Sequence, residues 1–184
     1  MNPKRIAVKF FASPDPGPDL DLRPAIDLFH TFIQEKTLEG LLIDVADYAH
    51  VPEGPGVVLI GHEVDYGIDR TGGRTGLLVT RKRCEETDLG EALRDTIRKG
   101  LGAIKAIEAN GALGVTFAPG AFTLQVFDRL AAPNTDAGYA ALSAAVAPAL
   151  KDIFGDGKVE IARAQSDDAR RALALSVSGP APSL

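Results

Sequence analysis

Cysteine is nearly missing from this 184-residue chain: Cys84 stands alone, which excludes an internal disulfide and a thiolate zinc site built within one chain. A reducing compartment, the cytoplasm, is the expectation. Tryptophan is absent. Uninterrupted apolar stretches fall far short of the roughly 20 residues of a membrane-spanning helix. At the N-terminus Lys9 breaks the run Ile6-Ala7-Val8-Lys9-Phe10-Phe11, which is too short for a secretion signal and lacks a small-residue cleavage pattern, so it reads as a strand. No membrane association is expected. Also missing are a dinucleotide-binding glycine pattern, a phosphate loop, a serine-hydrolase elbow and a His-Glu-x-x-His zinc motif.

Basic residues are unevenly supplied. No lysine or arginine occurs between Lys36 and Arg70, a window that holds Glu39, Asp44, Asp47, Glu53, Glu63, Asp65 and Asp69 with His50 and His62. The third histidine, His30, lies just upstream. Residues 1–69 carry 12 acidic and 5 basic side chains, a balance of −7; residues 70–184 carry 13 and 15, a balance of +2. Nucleic-acid affinity depends on a basic surface that neutralises phosphates, so no nucleic-acid partner is expected. The plainer reading of the acidic window is a solvated side of the molecule.

What is present is ordinary for a globular domain, with 45% hydrophobic and 24% charged residues. Ser13 to Pro18 is a turn-rich linker. Pro24, Ala25, Ile26, Phe29, Phe32 and Ile33 place a helix with His30 at the boundary of its apolar stripe. Leu41 to Val45 and Val57 to Ile60 read as two central strands buried on both faces, the second running on to Glu63. A hairpin turn at Asp69 to Gly73 returns into a strand from Gly76 to Thr80, and Arg81-Lys82-Arg83 is its expected solvated end. Asp88 caps a helix lined by Leu93, Ile97, Leu101, Ile104 and Ile107, which Asn110-Gly111 closes. Gly114 to Phe117 and Phe122 to Phe127 are expected to pair as a hairpin about Pro119-Gly120. Asn134 or Thr135 caps a third helix, kinked at Pro148 and ended by Gly155. Val159 to Ile161 and Leu173 to Val177 supply two more strands.

This order predicts an α+β fold: a mixed or antiparallel sheet layer with helices on one face, its C-terminal half ferredoxin-like, the split βαβ arrangement. One domain over 1–184 is expected, with pseudo-duplicated halves at 1–74 and 75–178 and a loose tail at 179–184. An open sheet with little charge along Phe122 to Phe127 leaves an edge or face to be covered, and a homodimer is the expected partner state.

The block from Leu41 to Glu63, with Asp44, Asp47, Tyr48, His50, Gly54-Pro55-Gly56 and Gly61-His62-Glu63, resembles a family of uncharacterised bacterial proteins, and Asp128 to Thr135 is similar to the same family. The resemblance implies an intact domain and carries over no catalytic residue and no cofactor.

Chemistry, if any, is expected in the acidic, histidine-bearing window. Imidazole and carboxylate together suit a divalent metal, for which His50, His62 and Glu63 are the candidate ligands, or a general base. As a catalytic set these three join Asp44. Asp47, Tyr48 and Arg129 are candidate ligand-binding residues, Arg129 also as the partner that would satisfy an Asp44 carboxylate buried in an apolar strand. Geometry opposes a single cluster: strands joined by the loop at 46–56 should pair antiparallel, leaving His62 and Glu63 roughly 15 Å from the loop end at ~3.3 Å per residue. Cys84 between basic and acidic neighbours is a weak candidate nucleophile. Two functions remain open. One is a domain without catalytic activity that binds a small ligand or a partner protein; the other is a metal-assisted or acid-base enzyme using residues 44–63.

Overall fold

The computed structural model of the chain describes residues 3–51, 54–84, 88–164, 168 and 170–182. Glu53, Glu85, Glu86 and the last two residues of the tail lie outside them. In chain order the elements are β1 (Ile6–Ala12), α1 (Arg23–Glu35), β2 (Leu42–Tyr48), β3 (Gly56–Gly61), β4 (Val64–Asp69), a short 3-10 turn (Thr71–Gly73), β5 (Gly76–Arg81), α2 (Leu89–Asn110), β6 (Phe117–Val126), α3 (Asp136–Phe154), β7 (Glu160–Arg163) and β8 (Leu173–Ser178). The strands form one sheet in the order β2-β3-β4-β5-β1-β6-β8-β7. With three helices beside it, the fold is α+β, as the element order predicts.

Pairings β2–β3, β3–β4, β6–β8 and β7–β8 are antiparallel. Backbone bonds at the two ends of β1 make both its flanks antiparallel as well. Ala12 N–H donates to the Thr75 carbonyl at 2.9 Å and Cys84 N–H to Lys4 at 3.1 Å on the β5 side; Ser13 N–H donates to Thr116 at 2.9 Å and Phe127 N–H to Arg5 at 3.2 Å on the β6 side. The N-terminal strand therefore lies between β5 and β6, which α2 connects.

The chain divides into two compact units, one of Met1–Val8, Thr80–Arg98 and Pro119–Leu184, the other of Lys9–Val79 and Lys99–Ala118. In the first, α2 begins as expected: the Asp88 carboxylate accepts the Gly90 N–H at 2.8 Å and the Glu91 N–H at 3.3 Å. Thr135 caps α3, its hydroxyl accepting the Gly138 N–H at 3.1 Å. The two helices are neighbours, because a Cβ on Gly90 would meet Ala149 at 3.4 Å and Arg94 pairs with Asp152 at 3.0 Å. Leu142, Val146, Leu150 and Ile153 are buried along one face of α3, and Phe154 stacks on Phe122 with centroids 6.1 Å apart.

Two expectations fail in this unit. Pro119-Gly120 makes no turn: β6 runs through it as one ten-residue strand. The glycine is there because the chain passes close by. A Cβ on Gly120 would stand 2.7 Å from the Gly179 carbonyl, and the Gly179 N–H donates to the Gly120 carbonyl at 2.9 Å. With β1 and β8 on its two sides, β6 offers no open edge at Phe122 to Phe127. The basic triplet is also not wholly solvated, since Arg81 is largely covered and ion-paired with Asp95 of α2.

In the second unit α1 buries Ala25, Leu28, Phe29 and Phe32 and packs against β2 and β3, while His30 is exposed. Val57 and Leu59 are buried in β3 as predicted. The run Leu41 to Val45 is not a central strand. β2 is the last strand of the sheet, and Leu41 and Ile43 are 67% and 54% exposed; a short apolar run has no periodicity with which to separate these two cases. β3 also ends sooner than expected, at Gly61, and the chain turns through His62-Glu63 into β4. At Gly61 a Cβ would lie 2.2 Å from the Val64 carbonyl, so the turn closes only on glycine.

Lys9 explains its own place in an apolar strand. Its ammonium meets the buried Asp69 carboxylate at 2.5 Å and donates to the Thr71 carbonyl at 2.9 Å. Asp69 in turn accepts the Thr71 hydroxyl at 2.6 Å and its N–H at 3.2 Å. The buried pair thus fixes the turn between β4 and β5.

Candidate functional site

The strand register decides which of the candidate residues meet. Leu42 pairs with Gly61 at one end of the β2–β3 ladder and Tyr48 with Gly56 at the other. His62 belongs to the first end, where its N–H donates to the Leu41 carbonyl at 2.8 Å. His50 follows Tyr48 beyond the second. Six residue steps separate these ends, roughly 20 Å at ~3.3 Å per residue. His50 therefore stands apart from His62 and Glu63, and among the described residues no group of three or more His, Cys, Asp or Glu side chains is placed to hold a metal ion.

The acidic candidates on β2 have local partners. Asp44 is exposed and its carboxylate accepts the N–H of Val45 at 2.8 Å; Asp47, also exposed, accepts the Ala49 N–H at 2.8 Å and so bends the chain out of the strand. The expectation of a buried Asp44 fails because its strand is at the edge, and the carboxylate needs no guanidinium. Arg129 instead donates to the Arg170 carbonyl at 2.8 Å. Tyr48 and His50 are exposed, and Cys84 is buried.

At the His62 end the second unit has a cavity of about 180 Å3. Its polar wall is Glu39, His62, Glu63 and Lys99, and its apolar wall is Leu41, Leu42 and Val64. The β3–β4 turn supplies the imidazole and one carboxylate. Among the bonds that hold that turn are the His62 N–H to Leu41 and the Gly61 N–H to the Asp65 carboxylate at 3.1 Å. Lys99 reaches the wall from α2, with only 9% of its side chain exposed, and its Nζ is 4.0 Å from Glu63 Oε2. A covered ammonium needs carboxylate or carbonyl partners to offset its desolvation, which ties Lys99 to this corner of the molecule.

The lining combines polar residues, His62, Lys99, Glu39 and Glu63, with apolar ones, Leu41, Leu42 and Val64. A small molecule with a polar end and a hydrocarbon part has partners for both in such a set. The volume is well below the ~300–1,000 Å3 of pockets that enclose drug-sized ligands, which leaves room for a compact molecule only.

Of these lining residues, His62 and Glu63 are candidates from the sequence, and Glu39 and Lys99 are not. A signal for Lys99 exists. It shares one line of α2 with Ala92, Thr96 and Ala103, each fully buried. A lysine on a helix line of small residues is one that a neighbouring layer covers. Glu39 lies two residues before Leu41, whose pairing with His62 no local pattern encodes. No protein-family model and no curated protein matches this chain.

Proposed function

We propose that the protein is a cytoplasmic small-ligand- or protein-binding domain without catalytic activity, self-associating, and that its ligand site is the cavity at the β3–β4 turn. The observation that carries this reading is the convergence of His62, Glu63 and the nine-tenths-covered Lys99 on one 180 Å3 cavity with an apolar wall. A few polar groups aimed into an apolar concavity are the usual makeup of a small-molecule site. The rest of the reading is analogy from architecture: β5, α2 and β6 with β1 between them support a split βαβ core, an arrangement that commonly serves binding.

Isothermal calorimetry against a panel of small carboxylic acids, amines and amino acids tests it. A ligand of the class is expected to bind the wild type and to lose at least about tenfold in affinity, about 1.4 kcal/mol, in His62→Ala and Lys99→Met. Equal affinity in all three proteins places the site elsewhere.

A second reading has one observation in its favour. An imidazole, a covered ammonium and two carboxylates at one cavity are also the groups of an acid-base site. It requires turnover of a bound ligand, visible by NMR as product, and loss of that turnover in His62→Gln.

A further inference from the structure

Among the described residues, the large hydrophobic side chains that stand exposed are not scattered. They fall in two places: Leu41, Ile43, Tyr48 and Val51 on and beside the β2 edge, and Phe127 and Leu130 after β6. The two places differ in charge. The first carries Asp44 and Asp47, in the stretch without lysine or arginine from 37 to 69. The second carries Arg5, stacked on the Phe127 ring at 4.9 Å, and Arg129; Asp128 stands in the same loop, and the Arg170 guanidinium is ion-paired with Asp168 at 3.0 Å.

Leu130 is 98% exposed, yet its loop is firmly held. The Asp128 carboxylate accepts the N–H of Leu130 at 3.0 Å and of Ala131 at 3.1 Å, and the Asp128 carbonyl accepts that of Ala132 at 2.8 Å. Beyond the loop, buried Asn134 donates to the Asp168 carbonyl at 2.9 Å and receives the Arg163 guanidinium at 2.8 and 3.1 Å. A loop whose backbone is already held loses little backbone entropy when its apolar side chain binds.

We infer that the Leu130 loop of one copy docks on the β2 edge of another, Leu130 and Phe127 against Leu41 and Ile43, with Arg129 facing Asp44 and Asp47. A second copy is the partner because the two surfaces match each other in both respects, apolar centre and opposite charge. Pairing of β2 with β2 is the alternative, and three features oppose it. A bulge interrupts the β2–β3 register at Ile43, the Asp44 carboxylate takes the Val45 N–H that an added strand would compete for, and two copies of Asp44 and Asp47 would be brought together. The contact joins unlike surfaces, so it continues into a ring or an open chain. It rests on the self-association in the proposed function and shares Leu41 with the wall of the ligand cavity, which Leu130 and Asp47 do not line.

Sedimentation velocity at tens of micromolar tests it, using Leu130→Asp and Asp47→Arg, two exposed positions whose variants should keep the wild-type circular dichroism. The wild type is expected to associate, less so at high salt, and each variant alone to be monomeric. Mixed, the two variants are expected to form a 1:1 dimer, because one retains an intact edge and the other an intact loop. A wild type that stays monomeric overturns this contact and the self-association with it. A wild type that associates while Leu130→Asp does so equally, or variants that stay monomeric when mixed, overturn the contact alone.

Discussion

Lys9 and Lys99 are both cations within apolar patterns, and the chain treats them alike, covering the stem and pairing the head. For Lys9 the partner is Asp69, sixty residues away in sequence and nearly inaccessible. Removing one member of a buried pair strands the other, at a cost of about 3–5 kcal/mol. Lys9→Ala should therefore lower the urea-unfolding free energy by that amount, whereas a loss below about 1 kcal/mol would mean that Asp69 is well served by Thr71 alone. Exposed pairs behave differently. Arg23 donates to the Asp21 carboxylate and holds it down at about 2, without burial. A depressed acid stabilises the folded state above its unfolded value, and that contribution fades as pH falls through the folded one. Residue-resolved NMR should find Asp21 still ionised at pH 3, and more protonated there in Arg23→Ala, where the residue-23 N–H continues to lower it. The sequence marked Lys9 as an interruption and could not name Asp69, because ion pairs across sixty residues leave no local trace.

The helices were the most legible elements, since capping and stripe are both local. Asp88 is the case in point: the carboxylate sits on the first N–H groups of α2, and Asp88→Ala should cost about 1 kcal/mol in thermal or chemical unfolding. No change would show that the helix start is held by packing instead. Strands were harder, because the same residues serve different purposes. Pro119-Gly120 has the composition of a turn, but the glycine answers a chain passing 2.7 Å from where its Cβ would be. At Gly61 the reverse holds: a real turn follows a run whose composition predicts a strand continuing to Glu63. Gly61→Ala sets a Cβ 2.2 Å from the Val64 carbonyl and should destabilise by about 1–3 kcal/mol while shifting the amide signals of His62 and Glu63. Unaltered stability and spectra would mean the turn has slack. For the candidate site this matters directly, because the turn carries two of its four polar groups.

At the scale of the molecule, the α+β class follows from the order of elements, but the sheet order does not. Nothing local tells β1 to lie between β5 and β6, since those contacts close over some seventy and more than a hundred residues. The site shares this limit. The composition of residues 30 to 63 drew attention to His62 and Glu63, while His50, equally prominent in sequence, is carried to the opposite end of the same ladder by the antiparallel register. Lys99 arrives from a helix that begins well after the window ends. The cavity is thus a product of topology, and its use as a ligand site is the central claim. A titration of the 15N-labelled protein with the small acids, amines and amino acids of the calorimetric panel, read amide by amide, tests it most directly. The account predicts saturable shifts centred on residues 39–42, 62–64 and 99, abolished by His62→Ala. Saturable shifts centred instead on Asp47 to Val51, or indifferent to His62→Ala, would contradict it.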